Sequence, residues 1–123
     1  MKKMLFILIL VISLITIYAW AGSKIEDLQL QANCKILAKD RFKEEFDYTH
    51  YAYNNHYNSK LNKCFMWVWS LDGATVEYLY DVNEKQFYGM KQITKDHLRC
   101  QKLGTFCKSD AEWESFVKTY MEE

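Results

Sequence analysis

The chain has 123 residues, balances 16 acidic against 16 basic side chains and contains no proline. That length suits one core rather than two. The even mixing of charge lacks the dense positive face that a phosphate backbone requires, so nucleic acid is not an expected partner.

In chain order, Lys2 and Lys3 precede an apolar run from Met4 to Ile17 that ends at Ala19-Trp20-Ala21. This is the pattern of a secretory signal peptide over 1–21 with an A-x-A cleavage site. Cleavage after Ala21 leaves a single domain over 22–123, exported to a periplasm or secreted, where cysteines can oxidise. The rival reading keeps Met4 to Gly22 as a membrane anchor, and the membrane is then a partner only through that uncleaved segment. Gly22 and Ser23 offer no thiol, so lipid attachment at the mature N-terminus is not expected.

Ser23 and Glu26 have capping-box spacing, and Leu30, Cys34, Leu37, Ala38, Phe42 and Phe46 recur at three- and four-residue intervals. This predicts an amphipathic helix from Lys24 to Phe46, with Lys35, Lys39, Lys43 and Asp40 on the solvated side. From Asp47 to Ser59 the helical period is lost among tyrosines, histidines and asparagines, and a structured loop is expected. Lys60 to Ser70 reads as a strand with Cys64, Met66 and Val68 on one face and Phe65, Trp67 and Trp69 on the other. A strand apolar on both faces is expected to be central. The tryptophan face is expected to be covered by Trp113 and Phe116; left uncovered, it would need a partner.

Asp72-Gly73 signals a turn into a second strand, Ala74 to Val82. Asn83 to Lys85 turns again into a third, Gln86 to Ile93, where Gly89 is expected to mark a bulge. Thr94 to Lys102 is expected to be helical. Ser109 and Glu112 repeat the capping-box spacing ahead of a final helix with Trp113, Phe116, Val117 and Tyr120 on its apolar stripe. The expected fold is α+β: an N-terminal amphipathic helix packed on an antiparallel sheet of about three strands, a C-terminal helix, and disulfides. Four cysteines permit three pairings. Cys34 with Cys64 and Cys100 with Cys107 is the expected one, the second closing a loop that Gly104 helps to reverse.

His56-Tyr57-Asn58-Ser59-Lys60-Leu61-Asn62-Lys63-Cys64-Phe65, with Cys34 upstream and Cys100 and Cys107 downstream, resembles a family of small exported bacterial proteins of uncharacterised function. The stretch from Ser109 to Met121 is similar as well. The resemblance implies an extracytoplasmic protein whose cysteines serve the fold, and it brings no catalytic residue.

Candidate recognition residues are Tyr48, His50, Tyr51, Tyr53, His56, Tyr57 and Asn58, since tyrosine and histidine combine flat apolar faces with polar tips. The alternative is that these tyrosines cover a sheet edge. Neither His50 and His56 with Asp47, nor the four cysteines, has metal-ligand spacing, so no metal and no cofactor is expected. G-x-S-x-G, S-x-x-K and C-x-x-C are absent, and adjacent Glu44 and Glu45 point apart on a helix, so no catalytic set is expected. The expected function is a non-catalytic, inhibitor- or immunity-like binding module whose partner is an envelope or extracellular protein or a glycan. The alternatives are a self-associating envelope protein and a small hydrolase or metal-binding protein using the histidines.

Overall fold

The computed structural model describes residues 2–72 and 75–122. Contacts divide the chain into two compact units, one ending at Leu30 and the other beginning at Gln31. The first is helical, and its large apolar side chains from Met4 to Leu28 are exposed. By length and composition this stretch can cross a membrane, and a signal sequence meets the same description. Helix α1 spans Lys2–Glu45, so Ser23 is an interior residue and not the expected cap. Leu, Ile, Val and Ala favour or tolerate the helix and no proline intervenes, so nothing stops it before Ser23.

In the second unit, six strands form one antiparallel sheet in sequence order. They are β1 (Tyr51–Asn58), β2 (Lys63–Ser70), β3 (Thr75–Asp81), β4 (Gln86–Ile93), β5 (Leu98–Lys102) and β6 (Thr105–Phe106). Helix α2 (Asp110–Met121) follows. The sheet thus exceeds the expected three strands, for two reasons. The segment expected as a loop is β1, because both of its faces are half-buried and its alternation is of tyrosine against amide or histidine rather than apolar against charged. The segment expected to be helical holds β5, where Leu98, Cys100 and Lys102 turn inward and Arg99 and Gln101 outward, a period of two too short to dominate its window. β2 is an interior strand, as its two apolar faces predict: it pairs with β1 and β3 and is covered on both faces, though it is the second of six strands. Gly73 and Ala74, at the expected turn between β2 and β3, lie outside the described residues.

Residues 31–45 of α1 pack on one sheet face and α2 on the other. On the α1 side, Cys34, Ala38 and Phe42 meet Cys64, Met66, Val68, Tyr80 and Val82. Leu37, expected in this stripe, is instead 48% exposed. On the α2 side, Trp113 and Val117 cover Phe65, Leu79 and the second disulfide, with Trp67 and Phe116 packed beside them. The disulfides are Cys34–Cys64 and Cys100–Cys107, the expected pairing. Leu103 and Gly104 both have positive φ in the two-residue loop between β5 and β6, the conformation a tight hairpin demands.

The α2 side depends on local chemistry at two points. The register of β3 and β4 shifts at Leu79/Tyr80, the bulge expected near Gly89. A Cβ on Gly89 would lie 2.7 Å from the Gln101 carbonyl oxygen and 2.8 Å from the Trp113 ring, so only glycine lets α2 approach this closely. Ser109 caps α2, its hydroxyl accepting the Glu112 N–H at 3.2 Å. The Glu112 carboxylate accepts the Lys108 N–H at 2.8 Å and pairs with Lys102 at 2.5 Å. Those bonds, Lys102 first, hold the Glu112 carboxyl below its ordinary range.

Candidate functional site

Strand alternation divides the predicted recognition segment between two faces. Tyr51, Tyr53 and Tyr57 turn toward α1, whereas His56 and Asn58 turn toward α2. Tyr53 lies against Phe42 with ring centroids 4.4 Å apart, and Tyr51 meets Phe46 at 5.7 Å. Burial, with Asp40 nearby, pushes the Tyr53 hydroxyl above the usual phenol range. The Tyr57 hydroxyl donates to Asn62 Oδ1 at 2.5 Å. Asn58 is buried and joins β1 to α2: its Nδ2 donates to the carbonyls of Thr119 and Tyr120 at 3.3 and 3.4 Å, while its Oδ1 accepts from Leu61 N at 3.0 Å. Tyr48 and His50 are exposed. The segment therefore does not present one continuous recognition surface.

β1 is also a sheet edge, and the outward N–H groups of Tyr51, Asn55 and Tyr57 are engaged within the chain. Tyr51 N donates to the Asp47 carbonyl at 3.0 Å, Asn55 N to Asn54 Oδ1 at 2.9 Å, and Tyr57 N to Gln31 Oε1 at 2.8 Å. Such engagement blunts the edge against addition of another strand.

The histidines do not converge. Asp47 Oδ1 accepts from both the backbone and the hydroxyl of Thr49, at 2.9 and 2.7 Å, and His50 Nδ1 lies 3.0 Å from Asp47 Oδ2. These bonds, the Thr49 backbone first, hold the Asp47 carboxyl below its usual range. Thr49 Oγ1 lies 2.8 Å from the same ring nitrogen. A catalytic relay needs carboxylate and hydroxyl on opposite ring nitrogens, so this is a turn that closes α1. His97 sits in the β4–β5 turn, and β5 is separated from β1 by three strands, or about 19 Å. Glu44 and Glu45 both reach Arg41. Among the described residues no three His, Cys, Asp or Glu side chains group as a metal site would require, and no cysteine is free.

The groups that do converge lie on the α2 side. A cleft of about 440 Å³ opens between α2 and strands β1 to β3, lined by Asn54, Trp67, Glu77 and Trp113 and, toward its rim, Glu114 and Lys118. Glu77 organises it. Its Oε2 accepts the indole N–H of Trp67 at 2.9 Å and of Trp113 at 2.8 Å. Its Oε1 pairs at 2.6 Å with Lys91, which faces it directly across the β3–β4 ladder. Lys91 is buried and pairs with Asp110 at 2.6 Å as well. Burial works to lower the Lys91 pKa, but the bonds to Asp110 and Glu77 outweigh it and hold the ammonium above its ordinary range. Trp69 extends the aromatic floor, its ring 5.0 Å from that of Trp67. Farther along this face, Lys63 pairs with buried Asp81 at 2.9 Å and with Glu84 at 2.7 Å, and its hydrogen bonds to Asp81, Glu84 and Tyr88 raise its pKa.

The sequence pointed to Trp67, Trp69 and Trp113 but not to Asn54, Glu77, Lys91 or Asp110 as partners. A signal was present: Glu77 shares a strand face with apolar Leu79, and a charge on such a face requires a counterion, which Lys91 on the next strand supplies. No family model, curated protein or solved structure matches the chain. The two disulfides and the apolar N-terminal helix are compatible with export.

Proposed function

We propose that the protein is an exported, non-catalytic binding module that acts in a periplasm or outside the cell and holds its partner in the α2-side cleft. The observation that carries this reading is the closed set of bonds around Glu77. Both of its oxygens and both lining indole N–H groups are engaged, and Lys91 is shared by two carboxylates. Glu77 and Lys91 are thereby committed to each other and to the indoles rather than to proton transfer, and their bonds fix the walls of the cleft before a partner arrives. Recognition then falls to exposed Asn54, the half-buried Trp67 and the charged rim at Glu114 and Lys118, a polar edge around an aromatic floor. A photo-crosslinking amino acid at Asn54 or Glu114, and one at exposed Lys39 as control, tests the reading in producing cells. A discrete adduct from the cleft positions, lost with Trp67→Ala, is expected. Equal labelling from all three positions, or no adduct from the cleft, would overturn it.

A further inference from the structure

The opposite sheet face, over β4 to β6, carries a second feature. Phe106 is 80% exposed and pairs with Gln101, which pairs with Met90, so these side chains share one face. Phe46, the residue after α1, reaches this face and meets Phe87 on β4 with ring centroids 6.3 Å apart. Phe87 and Leu103 are nonetheless 52% and 59% exposed, and with Met90 and Gln101 they line a depression of about 380 Å³. The Cys100–Cys107 bridge clamps the β5–β6 hairpin, so Phe106 is displayed on a constrained element rather than on a loose end.

Charge sets the stretch from the β4–β5 turn to the residues just after β6 apart from the rest of the domain, Lys95 and Asp96 lying in that turn and Lys108 following β6. Between Thr94 and Lys108 there are four basic residues, Lys95, Arg99, Lys102 and Lys108, and one acid, Asp96. The remainder of the chain after Ala21 has ten basic residues against fifteen acidic ones. Lys102 is paired with Glu112, whereas Lys95, Arg99 and Lys108 are exposed and form no ion pair among the described residues.

We propose that the β5–β6 hairpin docks on an anionic lipid surface, seating Phe106, Leu103 and Phe87 at the headgroup boundary with Arg99, Lys95 and Lys108 against lipid phosphates. Exposed apolar side chains beside unpaired cations on an otherwise acidic domain match that occupant in both chemistry and sign. The inference does not depend on the α2-side cleft. Hydrogen exchange tests it on the full chain in lipid nanodiscs of phosphatidylcholine alone or mixed with phosphatidylglycerol, since both discs accommodate the apolar helix equally. Amides of residues 98–108 are expected to exchange at least about fivefold more slowly on the anionic discs, the effect of a single basic residue near such a surface. Molar salt, Phe106→Ser and the double variant Arg99→Glu/Lys108→Glu should each remove the difference, and because these positions are exposed the variants should keep the wild-type circular dichroism. Equal exchange on both discs would overturn the proposal, as would protection that survives the double charge reversal. Protection conferred instead by soluble polyglutamate, or by raising protein concentration without lipid, would also overturn it, assigning the hairpin to an acidic protein or to a second copy.

Discussion

Removing the Glu77 carboxylate tests the account of the cleft most directly. Glu77→Ala leaves Lys91, 3% exposed, with Asp110 alone, and strips the acceptor from two indole N–H groups. Breaking one side of a buried ion pair costs about 3 to 5 kcal/mol when the remaining charge is left uncompensated; Asp110 still pairs with Lys91, so the lower end, about 3 kcal/mol with the two stranded indole donors included, is expected. Against a total stability of about 5 to 15 kcal/mol, that is a large share. Removing both charges behaves differently, since an apolar pair in the same space no longer has ions to desolvate. Glu77→Ala/Lys91→Met should therefore recover at least half of the single-variant loss, a coupling of about 1.5 kcal/mol or more. Glu77→Gln should fall between, as its amide oxygen still accepts but the charge is gone. Urea unfolding followed by circular dichroism gives the stabilities of the parent, of these three variants and of Lys91→Met alone, which closes the cycle. A Glu77→Ala cost below about 1 kcal/mol would refute the reasoning, placing the bonds in the range of exposed ion pairs. So would strict additivity of the two single variants.

Gly89→Ala should destabilise by about 1 to 3 kcal/mol, because the added methyl meets both a backbone carbonyl and the Trp113 ring; equal or greater stability in a urea titration would mean that α2 can retreat freely. Cys34→Ser and Cys64→Ser should each cost about 3 kcal/mol, and together little more than one alone, as measured by thermal melts; doubling in the pair would contradict a shared bond. Tyr53→Ala should cost about 2 kcal/mol or more in thermal melts, since its ring lies against buried Phe42; an unchanged melting temperature would return Tyr53 to the candidate recognition residues. The folded-state pKa of Glu112 is depressed, so its contribution is present above the unfolded value of about 4.3 and is lost as pH falls through the folded pKa. Melting temperatures followed downward from pH 5 should therefore fall less steeply in Glu112→Gln than in the parent, and parallel curves would count against the Lys102–Glu112 pair.

The sequence by itself determined those features whose cause is local. Cys34, Ala38 and Phe42 repeat every four residues, and the repeat alone puts them on one side of α1. β2 to β4 follow from period-two runs separated by polar turns, Gly89 marks its bulge, and the Ser109 cap is written in its spacing to Glu112. Tertiary structure decided the rest. β1 carries tyrosines, asparagines and histidine that neither strand nor loop chemistry claims alone, and its ladder with β2 settles the matter. That pairing also fixed which residues of the recognition segment meet α1 and which meet α2. β5 and β6 are too short to be read without their hairpin partners. Glu77 draws its indole partners from ten and thirty-six residues away. Hydrophobic periodicity predicts which face a side chain occupies, but a buried carboxylate is satisfied by donors arriving from other elements, and only the packed sheet and helix bring those donors within reach.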